Sequence, residues 1–167
     1  MSSNFKNGEE YYNKIYLLFN LFIAVSLLPF GYLLLQRQAG ELYELVEGTL
    51  YWLVVVSLLL ATAAIIFKAN QQFSAFINET KENLTFRRKL EDYKDQSLYK
   101  YGLFLLANLI CVCGLFLTTN AIFIVGYIVS VILLSIKRPT LNILIEDLKL
   151  NEDEQQILIE KKDIPFD

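Results

Sequence analysis

Apolar residues in this chain are gathered into long runs instead of alternating with polar ones. Residues 15–35 form 21 uncharged positions, and residues 50–67 form 18. Two shorter runs follow, 101–117 with 17 positions and 121–136 with 16. A helix rises about 1.5 Å per residue, so a hydrocarbon core of about 30 Å takes roughly 20 residues to cross. The first two runs suffice as they stand. Leu98, Tyr99, Thr118 and Thr119 extend the later pair into the interface. Lipid offers no partner to a free backbone N–H or C=O, so each run is predicted to be a helix. Helices of a soluble all-α domain carry a polar stripe, and these carry none. The expected fold is all-α: an integral membrane four-helix bundle with short helical cytoplasmic extensions. The spans are predicted at about 15–35, 50–67, 99–118 and 121–136. They form a domain over 15–136, preceded by a segment over 1–14 and followed by an amphipathic tail over 137–167.

Between the spans the pattern changes to a helical period. In 69–97, Phe73, Phe76, Ile77, Thr80 and Leu84 recur at helical spacing, and Phe86, Leu90 and Tyr93 continue it. Two amphipathic helices are predicted, prolonging the second and third spans. Arg87, Arg88 and Lys89 fall near the tip, as a solvated face or an anionic-lipid contact. In the tail, Lys137, Arg138 and Pro139 end the fourth span, since proline starts a helix better than it continues one. Leu141, Leu144, Ile145 and Leu148 then mark one apolar face. Asn151 followed by Glu154 reads as a capping box, and Ile157 and Leu158 give the next apolar face. The tail carries 8 acidic and 5 basic residues. An acidic amphipathic helix suits a protein surface better than anionic lipid. Two surfaces are open to it: the chain's own basic middle loop, or a protein partner.

Charge adds an orientation. The ends and the 68–100 link together hold 14 of the 15 basic residues, and the 36–49 link holds only Arg37. The positive-inside rule then places both termini and the middle loop in the cytoplasm of a multi-pass plasma (inner) membrane protein. The first run is expected to remain as an anchor, because no small-residue cleavage site follows it. The sequons at Asn78 and Asn83 would face the cytoplasm and stay unglycosylated. Tyr11, Tyr12, Tyr16, Tyr51, Trp52, Tyr99 and Tyr101 cluster near span ends and read as interface anchors.

Composition narrows the chemistry. The chain is 54% hydrophobic and 20% charged, and it has no His. Mean hydropathy is +0.39. Lacking His, it is expected to hold no His-ligated haem, no usual zinc site and no Ser-His catalytic pair. Cys111 and Cys113 are two apart, so on a helix they face nearly opposite ways and share neither a metal nor a bridge. No ionisable residue interrupts the spans, which argues against a proton relay. The polar residues within them are Asn20, Ser26, Ser57, Thr62, Asn108, Ser130 and Ser135. Asn20 and Asn108 are predicted to find partners inside the bundle. Small residues form stripes: Ser57, Ala61 and Ala64; Ala107, Cys111 and Gly114; Gly126 and Ser130. These would pack helix on helix, or join two copies in a homo-oligomer. Pro29, with Gly31, predicts a kink in the first span. Glu41, Glu44 and Glu47 recur at helical spacing on the outer link as a solvated acidic face.

No catalytic, cofactor-binding or metal-ligating constellation emerges, and the charge balance gives no nucleic-acid surface. Membrane lipid is one expected partner. The reading is a small non-enzymatic membrane protein, an accessory, scaffold or assembly subunit presenting cytoplasmic helices to a protein partner. The alternative is an oligomeric transporter or channel for an apolar or uncharged solute.

Overall fold

The computed structural model describes residues 5–79, 84–136 and 138–165. Six helices occur among them: α1 (Gly8–Ala39), α2 (Thr49–Glu79), α3 (Phe86–Thr118), α4 (Ile122–Ile136), α5 (Leu141–Leu148) and α6 (Glu152–Ile159). The predicted all-α bundle is present. α1, α2 and α3 are each long and apolar enough to cross a membrane, whereas α4 meets that standard only together with α5, across a sharp bend. Its 15 residues span about 22 Å, so α4 needs its flanking residues to complete a crossing.

α3 is the central helix, packed along its length by α2 and also by α1 and α4. Ala107, Cys111, Gly114 and Leu115 are all buried on it. α2 buries only the seam Val55, Thr62, Ala69 and Phe73 among its described positions. Three core layers are stacked along the bundle. At one end Phe30, Leu33, Val55, Val112 and Phe123 pack together. In the middle Phe19, Ala69, Tyr101, Phe104 and Leu134 do so. At the other end is a base, where Phe5, Tyr11, Phe73, Leu90, Tyr93, Leu144, Leu148 and Leu158 converge. Phe5, Ile164 and the facing ends of α2 and α3 therefore lie on the same side.

The amphipathic extensions form as predicted, since α2 runs on to Glu79 and α3 begins at Phe86. Leu84 belongs to the link between them, not to a helix. Thr80, Lys81, Asn83, Lys137, Phe166 and Asp167 lie outside the described residues. The tail helices are capped as the sequence suggests. Thr140 accepts from the Ile143 N–H at 3.3 Å, and Asn151 and Glu154 form a complete capping box. α1 continues through Pro29 without interruption.

Several expectations are corrected. Tyr11 and Tyr101 are not interface anchors: both are core residues, 0% and 3% exposed. They lie on α1 and α3 faces that point at each other's helix, whereas Trp52 and Tyr99 do face outward. The 41–47 segment is irregular, not helical, and is strapped over the end of α3. There the Leu45 N–H reaches the Leu117 carbonyl at 3.0 Å, and Thr119 Oγ1 donates to Glu44 at 3.3 Å. Asn20 makes no hydrogen bond to another helix among the described residues. It is exposed on α1, and its amide donates to the Tyr16 carbonyl one turn back, at 2.9 Å. Nor is the Arg87–Lys89 run uniformly solvated, because Lys89 is buried.

The small-residue stripes on α3 and α4 are used within the chain. A Cβ at Gly114 would stand 2.3 Å from the Phe123 ring, so only glycine admits that ring. A Cβ at Gly126 would stand 3.4 Å from Cys111 Sγ, bringing the two stripes face to face. Cys113 is exposed while Cys111 is buried, as their spacing requires. On α2, Ser57 and Ala64 remain on the outer surface.

Candidate functional site

The base draws on five separate parts of the chain. A short extended N-terminal segment leads into α1, and Asn7 pairs with Asp163 in an antiparallel bridge. The Ile164 N–H meets the Lys6 carbonyl at 2.9 Å, and the Gly8 N–H meets that of Lys162 at 3.3 Å. Gly8 fits closely there, since a Cβ would stand 3.0 Å from the Leu158 carbonyl oxygen. The tail covers the hairpin with the apolar face predicted for it: Leu144, Leu148 and Leu158 are buried against Phe73, Phe86, Leu90 and Tyr93. Burying such a side chain stabilises by about 1.5–3 kcal/mol. That consumes the tail's apolar face on its own chain.

Polar contacts register the tail. Lys89 Nζ donates to Glu154 Oε1 at 3.0 Å and to Oε2 at 3.2 Å, with the two side chains 6% and 12% exposed. The same carboxylate accepts the Asn151 N–H at 3.0 Å, so one group caps α6 and docks it. Tyr93 Oη donates to Asp147 Oδ2 at 3.2 Å. Tyr11 Oη donates to the Leu90 carbonyl at 2.7 Å, tying α1 to α3. Lys100 is buried with its ammonium 4.3 Å from the centroid of the Phe73 ring. Arg87 lies 5.0 Å from the Phe5 ring centroid and pairs with Glu91 at 3.5 Å. Burial pushes both the Tyr11 and Tyr93 phenols well above their ordinary range, and the Asp147 charge adds to the shift at Tyr93. Both remain neutral donors while the base is folded.

The residues that register the tail were missed as pairs by the sequence reading, although a signal exists. Lys89, Tyr93 and Lys100 fall at i, i+4 and i+11, one face of a helix. Two lysines on a face shared with an inward tyrosine imply buried acids elsewhere, here Glu154 and Asp147.

Within the bundle, Asn108 is buried as predicted. Its amide donates to Ser26 Oγ at 3.4 Å, and Ser26 Oγ lies 3.1 Å from Tyr127 Oη. Tyr127 is held flat against Phe30, with ring centroids 3.8 Å apart and planes 5° apart. The cluster links α1, α3 and α4. Asn108 Oδ1 and Ser130 Oγ are buried without a hydrogen-bond partner among the described residues. Thr62 Oγ1 bonds its own helix at Leu58 and lies 3.9 Å from Cys111 Sγ. Ser57 and Ser135 likewise bond their own helices, at Val54 and Val131.

Grooves lie on the surface of the described residues, and two bear on function. One, of about 590 Å³, runs between α2 and α3 at the base and is lined by Gln72, Phe76, Glu79, Asp95, Gln96 and Tyr99. The other, of about 620 Å³, follows the outer face of α1 past Asn13, Tyr16, Leu17, Asn20, Leu21 and Ala24. Among the described residues no three His, Cys, Asp or Glu side chains converge where a metal ion could be held. Comparison with protein-family models, with curated proteins and with solved structures finds no match, so the functional reading rests on the residues themselves.

Proposed function

We propose that this chain is a non-enzymatic integral protein of the plasma membrane, an accessory, scaffold or assembly subunit, with both termini and the base in the cytoplasm. The basic residues concentrated on the side of the base support that orientation. The observation that carries the scaffold reading is the docked tail. Lys89–Glu154 and the apolar cluster lock α5 and α6 in place, so the base is a preformed platform and not a free tail. A partner meets its outward surface. That surface includes the acidic face of α6, where Glu152, Asp153, Gln156 and Glu160 are exposed, and the α2–α3 groove with Glu79 and Asp95. A basic protein segment is the matching partner.

A photo-cross-linking residue at Gln156 or Gln96, in native membranes, tests this. A discrete protein adduct from either position, absent from a lipid-facing control at Leu28, is expected. Identical adducts from all three positions, or none from the base, would refute it. Deleting 141–167 is a poor test, because it would uncover Phe73, Leu90 and Tyr93 and unfold the base. Orientation is checked by cysteine labelling at 41–47, expected to react only from outside.

The second reading is an oligomeric transporter or channel for an apolar or uncharged solute. It draws on the unpartnered Asn108 Oδ1 and Ser130 Oγ. Against it, Asn20 faces outward, and Phe30 is stacked flat on Tyr127 beside the Asn108 cluster. Solute-induced swelling of reconstituted vesicles that Asn108→Leu abolishes would favour it over the scaffold.

A further inference from the structure

We propose that the outer face of α1, together with Arg138, forms a binding site for one anionic phospholipid, with the phosphate at Arg138 and an acyl chain along the groove. The proposal rests on the membrane-spanning reading and on no particular protein partner. Arg138 follows the end of α4 and is exposed. Its Nη2 donates to Tyr16 Oη, and its guanidinium carbon lies 4.8 Å from the Tyr16 ring centroid. Tyr16 is braced in turn by Tyr12, with centroids 6.0 Å apart and planes 22° apart. The guanidinium sits at the hydroxyl end of the ring, and its other N–H groups make no hydrogen bond to the described residues, which leaves planar donors for a phosphate.

Arg138 has no carboxylate partner among the described residues, and neither has the exposed Lys14 on the adjoining edge of α1. The acids nearest Lys14 in sequence are engaged elsewhere: Glu9 pairs with Lys161 at 3.0 Å, and Glu10 accepts the Lys6 N–H at 2.8 Å. Two unopposed cations at the edge of an apolar face call for an anion.

The groove supplies the rest. From Asn13 to Ala24 it follows about 16 Å of helix, roughly the depth of one leaflet of a 30 Å core. Leu17, Leu21 and Ala24 line its deeper part, and Ala24 leaves room where a large side chain would close it. Asn20 lies between the two zones. One amide hydrogen is spent on the Tyr16 carbonyl, and no other hydrogen bond is made to the described residues. An exposed amide there lacks water and suits the ester or glycerol oxygens below a headgroup. The same polar groups make this face a poor apolar seam for a second copy.

The test uses the full chain reconstituted in phosphatidylcholine bilayers with and without phosphatidylglycerol. Native mass spectrometry then reads the retained lipid. The wild type is expected to keep phosphatidylglycerol in preference to phosphatidylcholine. Arg138→Gln should lower that preference about fivefold, the effect of one interfacial cation. Arg138→Lys should keep most of it, and Asn20→Val should weaken retention of both lipids. Arg88→Gln, an exposed cation on the base, should change nothing. No preference in the wild type, or an equal loss from Arg88→Gln, overturns the site. A disulfide-linked dimer formed efficiently through Leu17→Cys assigns the groove to a second copy and also overturns it. Carbonate extraction of the wild-type chain separates the two levels. Release from the membrane would overturn the membrane reading itself, whereas retention without lipid preference overturns only this site.

Discussion

Removing the ammonium of Lys89 gives the sharpest test of how the base is held. Lys89→Met keeps most of the apolar stem but leaves the Glu154 carboxylate, 12% exposed, without its cation. Breaking one side of a buried pair typically costs 3–5 kcal/mol, because the remaining charge stays desolvated. Glu154 keeps two compensations: the Asn151 N–H at 3.0 Å, and enough exposure to admit some water. The lower end, about 3 kcal/mol, is therefore expected. The readout is amide exchange in α6, at the Gln155 N–H bonded to Asn151 and the Glu160 N–H bonded to Gln156. Such exchange reports local opening. At 1.4 kcal/mol per tenfold, about 3 kcal/mol corresponds to roughly 150-fold faster exchange. Glu154→Gln should cost nearly as much, since its amide can still cap Asn151 but cannot neutralise Lys89. The double variant Lys89→Met with Glu154→Gln should recover much of the loss, because no buried charge is left. Added salt should matter little for a pair so shielded. Threefold or smaller acceleration in Lys89→Met, or losses that simply add in the double variant, would refute the ion-pair account.

Other outcomes follow from the same geometry. Tyr11 and Tyr93 ionise more readily in the unfolded chain, at the ordinary 10.0, than in the folded base. Stability is therefore full below pH 10 and falls as pH rises above it, and phenolate absorbance should appear together with loss of tail protection. Tyr11→Phe should remove the bond to the Leu90 carbonyl, cost about 1–3 kcal/mol and lessen that alkaline sensitivity. Gly114→Ala should lower thermal stability in detergent by about 1–3 kcal/mol through collision with Phe123, and Phe123→Leu in the same chain should restore much of it. An unchanged midpoint in the single variant would count against that packing. Ser26→Ala should cost about 0.6–2 kcal/mol in the same assay, as it removes the link between Asn108 and Tyr127.

What the sequence determined by itself was the class of fold and its layout. Charge-free runs in lipid can only be helices, so the number and place of the long elements followed from run length alone. Local caps were equally legible, because Thr140, Asn151 and Glu154 act within one turn of themselves. The amphipathic period of the tail showed that it must dock, and not where. Tertiary structure decided the rest. Only packing made α3 the central helix, since an all-apolar span does not announce which of its sides faces protein and which faces lipid. For the same reason Asn20 turned outward while Asn108 turned inward, although both are single amides in apolar runs. Tyr11 and Tyr101 looked like interface anchors because sequence registers proximity to a span end, whereas burial depends on which neighbour stands opposite. Lys89 and Glu154 are 65 positions apart. Their pairing became visible once the tail folded back, when desolvation turned two ordinary surface charges into one lock.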